Sequence, residues 1–159
     1  MNDEQVAQEI KDAVKEDNVD LLQSIMSRGV DINAVYSNQE TALHIAINYT
    51  AVKCVRYLLE NNIKINMRSS YGETQLMSIL NPFNCSEKGD KIIEMIIDAP
   101  DIDFEQKHAR DDWNYLHFAC YGGCVKLVNT LAQKFQHFYT ADNKGRYPLH
   151  IAAQYGFAK

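Results

Sequence analysis

The chain has 159 residues, of which 46% are hydrophobic and 23% are charged, as is typical of a globular domain with an ordinary core. Its formal net charge of -5 argues against a nucleic-acid surface, which needs a basic patch. It contains no apolar run near the ~18 residues that a membrane-spanning helix requires.

The first predicted unit consists of two helices and a loop. Apolar residues between positions 6 and 14 recur at the spacing of one helical face. Asp17 or Asn18 can cap a second helix over residues 19–26. Gly29 is expected to end that helix, because glycine adopts the left-handed conformation after a helix end at low cost.

The same order of elements returns in a second unit. Residues 41–47 and 51–60 predict a short helix and a longer one. Asn62 lies 33 residues after Gly29, and asparagine tolerates the left-handed conformation next best after glycine. A fixed period of this size indicates a repeat architecture.

The third unit is irregular. Met77 stands where other copies of the repeated segment have histidine, and Leu76 lies 40 residues before Leu116 rather than 33. The sequence predicts that the extra residues lie in two loops, at 81–89 and 103–112. Surface loops accept added length cheaply, so we interpret the first of these insertions as tolerated length rather than as a partner contact.

The fourth unit has predicted helices over residues 116–120 and 125–131, separated by Gly122-Gly123. The fifth starts at Gly145 and has only its first helix. We therefore expect a fragment of a longer array, divided into units at residues 1–34, 35–67, 68–107, 108–141 and, truncated, 142–159.

These units resemble ankyrin repeats, which have about 33 residues, two antiparallel helices and a Thr-Pro-Leu-His-x-Ala start. The Leu-His-x-Ala core occupies residues 43–46, 116–119 and 149–152. The proline is kept only at Pro148. The resemblance implies an all-α fold, an ankyrin-repeat solenoid of stacked antiparallel helix pairs with hairpin-like loops, in a single array over residues 1–159.

Histidine recurs at one position of the unit, as His44, His117 and His150. A catalytic histidine has no reason to recur with the period of a scaffold. The resemblance implies a structural role instead, in which each ring bonds to the backbone of a loop.

The four cysteines lie at positions 54, 85, 120 and 124. Because the polar start of the chain lacks a secretory signal, we expect an intracellular, cytoplasmic protein with free thiols. The spacing of His117, Cys120 and Cys124 would place them on one face of a continuous helix, as a zinc site could require. However, Gly122-Gly123 interrupts the helix, and the second pair of ligands that zinc sites usually show is missing. We therefore expect no catalytic residue, cofactor or metal. A metal or redox sensor using Cys120 and Cys124 is a minor alternative.

The resemblance implies that partners are met on a concave side, by the loop tips and the exposed face of the first helices. Aromatic residues and arginine, which anchor interfaces, gather at these positions. The predicted partner-binding residues are Tyr49, Arg68, Tyr71, Arg110, Trp113, Tyr121, Lys144, Arg146 and Tyr155.

The predicted function is that of a non-catalytic protein–protein interaction scaffold for an unidentified protein. We expect no nucleic-acid partner and no direct membrane insertion by this segment. The alternative is a regulatory or assembly segment of a larger enzyme or of an ankyrin-bearing membrane channel.

Overall fold

Pairs of α-helices make up most of the described part of the chain. The computed structural model describes residues 2–84, 86–134 and 139–156, so that Cys85, Phe135 and the end of the chain at Lys159 lie outside the described residues. The α-helices in the described ranges are α1 Asp3–Lys15, α2 Val19–Ser27, α3 Ala42–Asn48, α4 Val52–Glu60, α5 Gln75–Ile79, α6 Glu87–Ile97, α7 Tyr115–Gly122, α8 Val125–Lys134 and α9 Pro148–Gln154. These ranges also hold two 3₁₀ turns, Ser37–Gln39 and Pro82–Asn84, and one isolated β-bridge between Arg68 and Thr74.

The helices stack in two rows, which confirms the expected all-α solenoid. The first helices α1, α3, α5, α7 and α9 contact one another in that order, and α2, α4 and α6 pack in sequence behind them. One continuous core lies between the rows and receives fully buried side chains from successive units, among them Ile10, Leu22, Leu43, Leu58, Leu76, Ile92, Leu131 and Ile151. None of the helices in the described ranges is long and apolar enough to cross a lipid bilayer.

The predicted helix stops adopt the left-handed conformation. Gly29 follows α2 with a φ of 86°, and Asn62 follows α4 with a φ of 58°. Glycine and asparagine are the residues that take positive φ at least cost. The structure therefore confirms that asparagine replaces glycine at the end of the second unit.

Asp17 and Asn18 cap two different helices. The Asn18 side chain caps α2, which confirms one of the two predicted possibilities. The Asp17 carboxylate instead accepts hydrogen bonds from the backbone N–H groups of Lys53 and Cys54, each at 3.0 Å, at the start of α4. The residue before α4, Ala51, has no side chain that can do so. The second unit thus receives its helix cap from the first.

A pair of asparagines at equivalent positions joins successive loops. Asn33 Oδ1 accepts a hydrogen bond from the Lys64 N–H at 2.8 Å. Asn66, 33 residues further on, accepts one from the Asp103 N–H at 2.9 Å and donates one to the Asp101 carbonyl at 2.7 Å. These contacts between neighbours belong to the interface terms that stabilise a stack of repeats.

The third unit departs from the others where the sequence predicts. Helix α5 has five residues, whereas α3 has seven. Helix α6 has 11 residues and α4 has nine, so the two helices of each of these units have the same combined length and the extra residues lie outside the α-helices. The prediction that they lie in the two loops is therefore confirmed. Ser86 caps α6, accepting a hydrogen bond from the Gly89 N–H at 3.1 Å.

Candidate interaction surface

The hairpin-like loops share one backbone pattern. In each, an N–H group donates to a carbonyl at the base of the loop, pairing Tyr36 with Glu40 at 2.8 Å, Ser69 with Glu73 at 2.9 Å, His108 with Trp113 at 2.8 Å and Asp142 with Arg146 at 2.8 Å. The third loop spans one residue more than the others. The carbonyl partners therefore occupy one repeated position, which we call the loop-closing position.

Neighbouring loop tips touch one another. The Ser70 N–H donates to the Asn38 carbonyl at 2.7 Å, and the Asn143 N–H donates to the Asp111 carbonyl at 3.1 Å. We call the surface formed by the loop tips, residues 37–39, 70–72, 109–112 and 143–145, together with the loop-closing residues and the C-terminal ends of α3, α5, α7 and α9, the loop face.

Trp113 lies at the base of the loop face rather than projecting from it. Its ring stacks on His117 with a centroid distance of 6.0 Å and meets Phe118 and Tyr121 edge-on at 5.3 and 5.7 Å. The Arg146 guanidinium lies 5.7 Å from the ring centroid. Contacts of this geometry add stability beyond the burial of surface. The ring is therefore held in place by its own and the next unit.

Asp142 fixes this arrangement from the fourth loop. Its buried carboxylate accepts hydrogen bonds from Trp113 Nε1 at 3.0 Å, from the Lys144 N–H at 2.9 Å and from the Arg146 N–H at 2.8 Å. The Arg146 side chain adds a hydrogen bond at 2.9 Å. Burial alone would raise the pKa of Asp142, but the hydrogen bonds outweigh it and lower the pKa to about 2.

The tyrosines face outward. Tyr121 and Tyr155, from successive first-helix ends, meet edge-on with ring centroids 4.9 Å apart. Tyr71 is 55% exposed, Tyr155 47% and Tyr49 42%. Trp113, Tyr121 and Tyr155 thus form a run of touching rings across two units, which we call the aromatic cluster.

The predicted cationic residues divide into two groups. Arg68 donates to the Gly72 carbonyl at 2.8 Å and to the Lys107 carbonyl at 2.6 Å, so its guanidinium holds two loops together. Arg146 is likewise committed to neighbouring groups. Arg110 and Lys144 lie at exposed loop tips. A guanidinium group that already donates hydrogen bonds within the protein has few donors left for a partner.

His108 is a component of the surface that sequence reasoning missed. It is buried, and its Nε2 lies 3.2 Å from the Tyr71 carbonyl oxygen. Its Nδ1 lies 3.3 Å from Asp111 Oδ2, but this pair lacks hydrogen-bond geometry. It links the second loop to the third. The sequence feature that could have identified it is its position at the start of a loop, which is equivalent to that of Asp142.

The recurring histidines have the structural role that the resemblance implied. His117 Nδ1 accepts a hydrogen bond from the Asn114 N–H at 3.3 Å, so Nε2 carries the proton and donates to the Arg146 carbonyl at 3.0 Å. His44 Nδ1 accepts one from the Thr41 N–H at 3.2 Å in the same way. Burial lowers the pKa of His44 to about 4 and lowers the pKa of His117 as well.

The cysteines do not form a free dithiol. Cys54 and Cys120 are buried free thiols, and burial raises the pKa of Cys120 to about 11. Cys124 is disulfide-bonded, so the expectation of free thiols was wrong for this residue. A disulfide requires a second sulfur nearby in space, which sequence separation does not show. Among the residues that the structure describes, no group of three or more potential ligands could hold a metal ion.

Comparisons with known proteins agree with the architecture. A sequence profile of ankyrin repeats (three copies) matches residues 10–81 and 83–159. Ankyrin repeat and SOCS box protein 3 of Bos taurus is 25% identical over an alignment of 173 residues, covering 90% of this chain and 33% of that protein. Transient receptor potential cation channel subfamily A member 1 of Homo sapiens is 23% identical over 141 residues, covering 88% of this chain and 12% of that protein.

A shorter similarity concerns an L-asparaginase of Dirofilaria immitis, which is 30% identical over 66 residues, or 42% of this chain and 11% of that protein. The chain spans a third or less of the length of these relatives. The profile covers nearly all of the sequence, and the matched residues fold into the stacked helix pairs described above. The chain therefore belongs to the ankyrin-repeat family.

Proposed function

We propose that this chain is a non-catalytic interaction module that binds a protein partner through the loop face. Ankyrin repeats are generally protein–protein interaction modules. The observation that carries the proposal is the aromatic cluster, which continues from one unit to the next and ends in the half-exposed Tyr155. Tyrosine and tryptophan are the residue types that contribute most to interface energetics.

The nine predicted residues divide into two roles in this proposal. The exposed or partly exposed group contacts the partner and comprises Tyr49, Tyr71, Arg110, Tyr121, Lys144 and Tyr155. Arg68, Trp113 and Arg146 shape the surface, because their polar groups are already bonded within their own loop or to the next one. A partner therefore meets mainly tyrosine rings and loop-tip cations.

The surface is organised before a partner arrives. Hydrogen bonds between loop tips and the bonds to Asp142 hold the loops in one arrangement. Binding to such a surface costs less ordering of side chains and loops than binding to mobile segments. Tyrosine adds contact area with a polar hydroxyl at little entropic cost.

The test uses peptides selected from a random display library on the intact chain. Replacing Tyr71→Ala and Tyr121→Ala together should weaken binding of the selected peptides by at least about tenfold, as the loss of interface anchors does. The melting temperature should fall only modestly, because Tyr71 is mostly exposed and Tyr121, which loses its ring contacts with Trp113 and Tyr155, is partly exposed. Tyr139→Ala is the matched control, since Tyr139 is 62% exposed but belongs to neither a loop tip nor a first helix. Unchanged affinity of the double variant would reject the assigned face.

A second candidate is a regulatory or assembly segment of a larger enzyme or membrane channel. Two of the relatives are an L-asparaginase and a cation channel, and the chain covers 11% and 12% of their respective lengths. Sequencing the complete transcript across the codon for Lys159 separates the candidates. A catalytic domain or apolar spans would favour the second candidate, and further repeats alone would favour the first.

A further inference from the structure

The chemical character of the loop-closing position changes along the stack. The four equivalent residues are, in order, Glu40, Glu73, Trp113 and Arg146. The first two are carboxylates, the third is the centre of the aromatic cluster, and the fourth is a guanidinium. The Arg146 guanidinium lies over the Trp113 ring, so the residues at this position in the third and fourth loops are neighbours in space.

The two carboxylates at the N-terminal end have neutral hydrogen-bond partners. Glu40 accepts a hydrogen bond from the Asn48 side chain at 3.0 Å, and Glu73 accepts one from the Ser78 hydroxyl at 3.5 Å. Both partners are neutral, and both carboxylates are partly exposed. In the part of the chain that the structure describes, neither is joined to a lysine or arginine in an ion pair.

The opposite end presents cations. Arg110 and Lys144 are exposed at neighbouring loop tips. Of the carboxylates there, Asp142 is buried and paired with Arg146 at 2.8 Å, and Asp111 lies 3.3 Å from the His108 ring. The remaining one, Asp112, is exposed, as is the oppositely charged Lys107 in the same loop.

The separation between the two ends suits an extended segment. Packed helices lie about 8–10 Å apart, so the three steps from Glu40 to Arg146 span roughly 25–30 Å. An extended chain advances about 3.3 Å per residue, and about eight or nine residues therefore cover this distance.

We propose that the loop face binds an extended protein segment with segregated charge, an inference that rests on the proposed function. The cationic end of the segment lies against Glu40 and Glu73. An apolar or aromatic side chain packs on the aromatic cluster, and the acidic end lies against Arg110 and Lys144. Complementary charges of this kind set the direction of a bound segment and exclude wrong registers.

The test examines the charge pattern of peptides about 12 residues long, long enough for the proposed span, selected on the intact chain from a random display library. The expected peptides carry basic residues towards one end, acidic residues towards the other and an apolar residue between them. A synthetic peptide with the same composition but alternating charges should bind at least about tenfold more weakly in fluorescence anisotropy, a difference of about 1.4 kcal/mol. Equal affinity of the two peptides would overturn the inference.

Variants of the chain locate the basic end. Glu40→Gln together with Glu73→Gln should lower the affinity for the selected peptide. The double substitution should also reduce the salt dependence of binding, since two charge contacts are lost. The matched control is Glu60→Gln together with Glu94→Gln, on the second helices α4 and α6, which should leave binding unchanged.

These measurements distinguish the two proposals. If the Tyr71 and Tyr121 double variant binds the peptide more weakly while the Glu40 and Glu73 double variant binds it with unchanged affinity, the loop face is the binding site. The proposed charge order of the bound segment is then wrong. If neither variant affects binding, or if the library gives no binding peptide, both proposals are rejected.

Discussion

Trp113 Nε1 donates a hydrogen bond to Asp142 Oδ2 at 3.0 Å and thereby joins two loops that are 29 residues apart in sequence. The same carboxylate binds the Arg146 guanidinium, which lies over the Trp113 ring. A buried charge therefore fixes an aromatic side chain and a cation in one arrangement. This relationship joins the third and fourth units at the loop face.

Asp142→Asn should lower the free energy of unfolding by about 3 kcal/mol, because removing one partner of a buried pair leaves the other uncompensated. Urea unfolding followed by the fluorescence of Trp113, the only tryptophan in the chain, measures this effect where it arises. Asp112→Asn is the control, since Asp112 is exposed and its φ of 55° suits asparagine. Equal stability of both variants would contradict the assigned network.

Arg68→Ala should destabilise the fold by about 1–3 kcal/mol, because buried or partly buried carbonyls lose a charged donor. The affected carbonyls are those of Gly72 and Lys107. Arg110→Ala removes a guanidinium that is exposed and should change stability by less than about 0.5 kcal/mol. A reversed order in a denaturant titration would show that the two arginines have been assigned the wrong roles.

Leu116→Ala should cost about 2–5 kcal/mol, as truncation of buried leucine does. Leu149 occupies the same position of the repeat but is 63% exposed, whereas Leu116 is 2% exposed. Leu149→Ala should therefore cost less than about 1 kcal/mol, since little apolar surface returns to water. Chemical unfolding of both variants measures the difference. A loss below about 1 kcal/mol for Leu116→Ala would mean that the repeat register is wrong.

Stability should decrease on mild acidification because His44 is buried as the neutral ring. Burial lowers the pKa of His44 to about 4, from the ordinary histidine value of 6.5. As the pH falls from 6.5 towards 4, the unfolded chain binds a proton that the folded chain does not, so the free energy of unfolding decreases. Between pH 6.5 and pH 5 the loss should be about 2 kcal/mol from this residue.

Denaturant titrations at several pH values measure that slope, and His44→Gln should reduce it. A lower stability of the variant at pH 7 does not affect the comparison, since only the pH dependence of the free energy of unfolding is compared. An NMR titration of the imidazole provides a direct check. Observation of a His44 pKa near 6.5 in the folded protein would contradict the prediction.

Local features of the fold could be predicted from the sequence. The 33-residue recurrence and the apolar stripes establish the helix pairs because helix formation and burial of one face depend on neighbouring residues in the chain. The stops at Gly29 and Asn62 follow from backbone preferences of single residues. The unit boundaries and the nine partner-binding residues stay predictions, because both depend on more than local pattern.

Contacts between units were decided by the tertiary structure. Nothing in the local sequence indicates that Asp17 caps α4, that Arg68 donates a hydrogen bond to the next loop, or that Cys124 forms a disulfide. The sequence shows which residues the loops contain, but the hydrogen-bond partners of these residues lie about one repeat away in the chain. The period of the sequence determined the scaffold, and the stacking of units decided which polar side chains are used within it, because hydrogen bonds and ion pairs depend on distances across the stack.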